Sequence, residues 1–148
     1  MAQIIYAMQF KGSASPVSES PMVMTAVTSC PSSSINSIVG ANGLDGGIQS
    51  ASGGEAKFES RIEMTSESNF QETGTITFGP GNVLHFDTIG EGSIGASPEE
   101  GVNHGSVMWN ITDGQGQFEG ATGRITSNFT LDGSLNVVDN QFGVIYLK

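Results

Sequence analysis

The sequence predicts an all-β protein, a single antiparallel β-barrel of about eight strands, and three observations carry that reading. Apolar and polar residues alternate with a period of two along short runs, the pattern of strands with one buried face. Gly, Asn, Asp and Pro bound those runs, and turns recur every 8–12 residues, as in sandwiches and barrels. No window carries a helical i, i+3, i+4 stripe free of Gly and β-formers. Closure into a barrel is expected because it removes the edges that many short strands would leave open. The 148 residues fit one domain, taken as 1–148.

In chain order, 3–10 reads as a strand with Ile4, Tyr6, Met8 and Phe10 on one face, and 21–29 as a second. In 31–54, 12 of 24 residues are Ser or Gly. This stretch reads as a solvated loop with a short strand at 35–39, or else as a mobile lid. Segment 55–66 sets Phe58, Ile62 and Met64 against a charged row from Glu55 to Glu63. Segment 69–78 groups Phe70, Glu72, Gly74, Ile76 and Phe78 opposite a threonine-rich face, and GPGN at 79–82 reverses the chain.

Strand 83–91 divides into Val83, His85, Asp87, Ile89 and Glu91 on one face and Leu84, Phe86 and Thr88 on the other. A Gly/Pro/Glu loop is expected at 92–104. Strand 105–112 follows, with Val107, Trp109 and Ile111 together. Strands 123–132 and 135–147 form a hairpin through the DGS turn at 132–134, the last with Phe142, Val144 and Tyr146 on one face.

Composition narrows the function. Leu, Ile, Val and Phe occupy 35 of 148 positions, enough for a packed core. Fifteen acids against five bases give a net charge of -10. Such a chain lacks the cationic footprint of a nucleic-acid binder and is repelled by anionic membranes. No apolar run is long enough to span a bilayer. The first residues lack the basic and apolar regions of a signal peptide, so a cytoplasmic location is favoured. Cys30 is the single cysteine, which removes an intramolecular disulfide and a cysteine-based zinc site. No H-x-H, H-x-x-x-H or carboxylate cluster is present, and no metal is expected.

Two constellations could carry chemistry. His85 and Asp87 point the same way along one strand, and inside a barrel they would form an oriented general acid/base. If Leu84 and Phe86 are the inward pair, both lie in solvent instead. Glu72 shares its face with Phe70, Ile76 and Phe78. Held among them it would have its pKa raised by desolvation; near the strand end it could reach out to the rim. Trp109, with Asn110 beside it, is either core or a wall on which a ligand packs.

The run GSVMWNITDGQGQFEGATGRITSNFTLDGSLNVVDNQFGVIYLK (105–148) resembles the C-terminal half of the allene oxide cyclase and dirigent superfamily. The resemblance rests on the turn that holds Gly114, Gly116, Phe118, Gly120, Ala121 and Gly123, and on the closing FGVIYLK. FQETGTITFGPGNVLHFDTIGEG (70–92) resembles the family's central hairpin, so the likeness covers roughly 69–148. It implies an eight-stranded barrel, usually a homotrimer, with a small-molecule pocket at one mouth and no cofactor. The glycine turn itself also reads as a staple at the barrel end, with Phe118 as its plug.

Laid on the N-terminal pattern of the plant cyclases, residues 6–16 offer Tyr6, Gln9, Ser15 and Pro16 as substrate contacts. Gln9 stands where the family has Asn, and Ala7 where it has the carboxylate. The expectation is therefore a cofactor-free cyclase or isomerase acting on a hydrophobic small molecule. Glu72, His85 and Asp87 would be catalytic, and Tyr6, Gln9, Ser15, Pro16, Phe70, Trp109 and Asn110 would bind. The alternative is a dirigent-like or carrier protein that binds without chemistry; a filled interior would instead mark a structural interaction domain. A homotrimer that buries an outward stripe of Leu84 and Phe86 is also expected.

Overall fold

Alternation along each strand is resolved into an inside and an outside because the sheet closes on itself. A computed structural model describes residues 2–148. The strands are β1 (Ala2–Glu19), β2 (Met22–Gly40), β3 (Gly43–Met64), β4 (Asn69–Phe78), β5 (Val83–Thr88), β6 (Gly92–Ala96), β7 (Val102–Gln115), β8 (Thr122–Asp132) and β9 (Asn136–Leu147). All pairings are antiparallel. Eight of these strands form a ring in the order β1, β2, β3, β4, β5, β7, β8, β9, with β9 returning to β1. The short β6 bridges β4 and β7 within the region expected as a loop.

Local chemistry explains the turns. At the β4–β5 hairpin, Gly79 and Gly81 both take φ of 79°, a conformation glycine adopts without steric cost. At the β8–β9 turn the Asp132 carboxylate accepts from the backbone N–H groups of Ser134 and Asn136, each at 2.9 Å. That bonding holds Leu135 at a φ of 63°.

The segment 31–54 is not a loop. The hairpin of β2 and β3 runs on past the barrel as a two-stranded arm, paired from Ser33↔Ser50 to Gly40↔Gly43. Every residue from Ser37 to Glu55 is exposed. Neither face of the arm meets a core, so its strands have no apolar alternation to read; backbone hydrogen bonds and cross-strand pairs such as Ile35↔Ile48 hold it.

The interior is filled unevenly. Phe58 stacks on Phe86 and Trp109 with centroids 5.4 Å away in each case, while Phe86 and Trp109 lie 4.4 Å apart. Ile76, Leu84, Ile111, Ile125 and Ile145 pack among them, all nearly inaccessible to solvent. At the end beyond, a single 3-10 turn (Gly116–Phe118) lays the buried Phe118 edge-on to Phe78 at 5.6 Å. The glycine-rich turn is thus a staple with an aromatic plug. Toward the opposite end the inward positions carry Ala14 and Ala26, which fill far less space.

The facing of β5 corrects one expectation. Leu84 (0% exposed) and Phe86 (3%) point inward, leaving His85 half-buried and Asp87 exposed on the outer wall. Register decides this: Ile76 faces Leu84, and Gly74 faces Phe86. A Cβ on Gly74 would lie 2.9 Å from the Phe86 ring, so the missing side chain makes room for that ring. Leu84 and Phe86 belong to the core and cannot form the stripe expected between subunits.

A similar close approach occurs on β9, where a Cβ on Gly143 would sit 2.2 Å from Tyr6 Cε1. Gly143→Ala is expected to cost about 1–3 kcal/mol by overpacking, measured as a shift in the urea midpoint. In the arm, Gly47 has nothing within 4 Å of its Cβ position, and Gly47→Ala should stay within about 0.5 kcal/mol.

Candidate functional site

Between the aromatic packing and the open end lies a cavity of about 80 Å³. Its walls are mostly apolar, with Met24, Ile62, Met64 and Leu131 among them. Besides Ser127 on β8, four side chains with polar atoms line it: Thr28 on β2, Glu72 on β4, Trp109 on β7, and Asp139 on β9. These four come from every second strand of the ring, so Glu72 opposes Asp139 and Thr28 opposes Trp109 across the barrel.

Each carboxyl is held by a serine on the neighbouring strand. Ser60 Oγ donates to Glu72 Oε2 at 2.6 Å, and Ser127 Oγ donates to Asp139 Oδ1 at 2.5 Å. Asp139 is also reached by a relay, in which Tyr6 donates its hydroxyl hydrogen to Gln141 Oε1 at 2.9 Å and Gln141 Nε2 donates to Asp139 Oδ2 at 2.8 Å. The backbone of Glu72 is fixed by Thr88, whose hydroxyl accepts from its N–H and donates to its carbonyl, both at 2.7 Å.

Burial sets the protonation of the two acids apart. Desolvation raises Glu72 to about 8; the Ser60 bond and nearby Trp109 oppose that rise, and the charge of Asp139 adds to it. Asp139 is raised by burial only to about 6, because Ser127 and Gln141 stabilise its charged form. Near neutrality Glu72 therefore keeps its proton while Asp139 is ionised, a division between acid and base roles. Burial, then the Asp139 charge, raises the Tyr6 hydroxyl well above its usual value.

Two polar atoms find no partner. The Trp109 indole N–H is close enough to Glu72 to favour its charged form, yet lies outside hydrogen-bonding geometry, and Thr28 Oγ1 is likewise unpaired. Both residues are almost fully buried, at 1% and 3% exposure. Among the described residues, no three of His, Cys, Asp and Glu come together as a metal-ligand group. No helix among them is long and apolar enough to cross a membrane.

No family model matches the chain, and no curated protein matches it in sequence. Among solved structures the chain is similar to a pterocarpan synthase dirigent protein, with a TM-score of 0.61 at 15% identity, over 99% of this chain and 89% of that one. The chain has a dirigent-like fold. At this identity the likeness speaks for the arrangement of strands, and it extends over the whole dirigent-like barrel rather than over 69–148 alone.

Of the residues singled out from the sequence, the dirigent-like barrel brings Glu72, Phe70 and Trp109 together in the cavity wall. Tyr6 is inside and is linked through Gln141 to Asp139, which lines the same cavity. His85 and Asp87 are on the outer wall, as β5 dictates. Gln9 also faces out and donates to Asn140 Oδ1 at 2.9 Å. Asn110, Ser15 and Pro16 are exposed away from the cavity, the last two beside an irregularity in β1.

Sequence reasoning missed Asp139, Thr28, Ser127 and Gln141. On β9 the apolar positions Phe142 and Tyr146 face solvent and the inward set includes Asp139 and Gln141, so polarity there runs opposite to burial. The available signal was the pairing of β9 with β1, whose Phe10 is opposite Asp139.

A buried acid with a raised pKa stabilises the fold while it is protonated. Stability from Glu72 is full below about pH 4.5 and is lost as pH rises through about 8. Glu72→Gln should therefore unfold at nearly the wild-type midpoint at pH 5. At pH 8.5 it should be more stable by a few kcal/mol (roughly), read from paired denaturation curves.

Proposed function

We propose that the barrel is a dirigent-like binding protein that takes a small, mainly apolar molecule into its mouth cavity and holds it in one conformation without a cofactor. The observation that carries this reading is the placement of the buried polar groups. Four of the six buried polar or charged residues line the cavity, and the other two, Ser60 and Gln141, bond to its carboxyls. A barrel selected only for packing has no use for them, since each costs stability when removed from water. The fold shared with a dirigent protein supports the same reading.

The cavity of about 80 Å³ is small. Met24 and Met64 in its wall are unbranched and adaptable, and their movement would widen it for a larger guest. Orientation within such a pocket selects one reactive conformer from many, which is the contribution a binding protein makes to a reaction that needs no catalytic group.

A second reading, the cofactor-free cyclase or isomerase, is favoured by Glu72. With its pKa at about 8 it carries a proton at neutral pH and can donate it to a ligand oxygen. His85 and Asp87, on the outer wall, take no part in either reading. The two are separated by Glu72→Gln: a binding protein keeps its effect on a bound molecule, whereas an acid catalyst keeps binding and loses turnover.

Self-association as a homotrimer is also proposed, on a different surface from the one the sequence pointed to. Met108, Thr126, Phe142 and Ala7 form a row across four strands of the outer wall. Within it, Phe142 is 51% and Met108 38% exposed. This row borders a cleft of about 1290 Å³ under Ile35 of the arm, and apolar area of that kind favours association when covered.

Two measurements test these proposals. Titration with methylenecyclopentane and with cyclopentanone, followed by the fluorescence of the single tryptophan, should saturate, and Ala26→Val, which narrows the cavity, should weaken binding about tenfold or more; titrations flat with both, and with cyclopentylammonium, end the binding reading. Light scattering at micromolar concentration should give three times the chain mass, falling toward the monomer in Phe142→Ser. A wild-type monomer removes the trimer.

A further inference from the structure

The two unpaired donors in the cavity carry information about what it binds. Indole N–H is a donor only, so the group that satisfies Trp109 must be an acceptor. A buried donor without a partner costs its full desolvation penalty, and a ligand that pairs it recovers that cost. Thr28 Oγ1, a hydroxyl that can donate to the same acceptor, is unpaired on the opposite wall. Neither is an accident of exposure, because both side chains are more than nine-tenths buried and both line the cavity.

Charge narrows the class further. A carboxylate or phosphate would enter beside the ionised Asp139 in a chain of net charge -10, and like charges in a poorly solvated site repel strongly. An ammonium would be drawn to the acids but would leave the indole N–H unpaired and facing a cation. A neutral oxygen acceptor avoids both conflicts: it accepts from Trp109 and Thr28, and from the Glu72 carboxyl in its protonated form. Water in the same place would be displaced by a ligand oxygen that reproduces its bonds.

We infer that the cavity selects uncharged, oxygen-bearing hydrocarbons of the ketone, ether or ester class, with Trp109 Nε1 and Thr28 Oγ1 as the donors that read the oxygen. This rests on the proposal that the cavity is a binding site, and the two can fail separately. Trp109 is then a specificity-determining residue as well as part of the aromatic packing against Phe58 and Phe86.

The test compares cyclopentanone with methylenecyclopentane, two molecules of the same shape that differ by an oxygen. The chain has one tryptophan, so its indole N–H gives a single NMR signal that reports on this bond. Cyclopentanone is expected to bind at least about fivefold more tightly, as one recovered hydrogen bond provides, and to move the indole N–H signal downfield. Thr28→Val should weaken the ketone selectively. It should also make the unliganded protein more stable, because it deletes an unpaired buried hydroxyl; a merely structural threonine would lose stability instead. That variant keeps its shape, so the test does not depend on Trp109→Phe folding.

Equal binding of both probes with an unmoved indole signal overturns the donor inference and leaves the cavity a nonspecific apolar site. Tighter binding of cyclopentylammonium than of cyclopentanone overturns it in favour of the carboxyls. Binding of none of the three removes the binding reading itself, and the inference with it.

Discussion

Closure of the ring between β3 and β4 is the constraint on which the remaining structure depends. Nine residue pairs, from Ala56↔Phe78 to Met64↔Phe70, join what would otherwise be two open edges of a long sheet. Once they pair, every strand has one face that water cannot reach, and the period of two along each strand assigns its residues without further choice. Glu72 illustrates the consequence. It sits opposite Ile62 within this closing ladder, and its inward direction is set by neighbours that must themselves be inside, Phe70 and Ile76. A register slip of one residue in β4 would place Gln71 and Thr73 in the core and turn Phe70, Glu72 and Ile76 outward.

Closure fixes direction, and residue size then distributes space. The aromatic cluster around Phe58, Phe86 and Trp109 occupies the middle of the barrel and Phe118 seals one end. Toward the other end the facing pair Ala14↔Ala26 on β1 and β2 is too small to reach across. The cavity lies where these two strands supply alanines in place of larger side chains. Its contents are then decided by the wall strands: serines positioned to hold carboxyls, and an indole whose apolar rim packs while its N–H remains available.

The sequence was legible where one face of a strand was plainly more apolar than the other. In β4 and β7 the alternation identified Phe70, Glu72 and Trp109 as one side of their strands, and the structure puts all three in the cavity wall. It was illegible where both faces mixed polar and apolar residues. In β5, Leu84 and Phe86 competed with Val83 and Ile89, and only pairing with Gly74 and Ile76 on β4 resolves them. Strand β9 misleads because Phe142 and Tyr146 are placed outside and Asp139 and Gln141 inside. The arm lacks a buried face, so Ser- and Gly-rich strands there look like any solvated loop. Those failures have one physical origin, namely that period identifies two faces but long-range pairing determines which is the interior.

The buried polar groups supply the last step. A closed barrel of this size could place apolar side chains at all its inward positions, and replacing buried ionisable groups with well-packed hydrophobic ones is commonly neutral or stabilising. Here Thr28, Ser60, Glu72, Ser127, Asp139 and Gln141 are the buried polar and charged residues among those described, and all belong to the cavity wall or to the bonds that hold its carboxyls. Five of the six have protein partners that orient them, Gln141 among them as the relay from the Tyr6 hydroxyl to Asp139, while Thr28 Oγ1 has none. Random loss of packing would scatter such groups through the interior and leave them with poor geometry. Concentration at one end, with carboxyls fixed by hydrogen bonds and two polar atoms left unpaired, costs stability that only the proposed binding function would return.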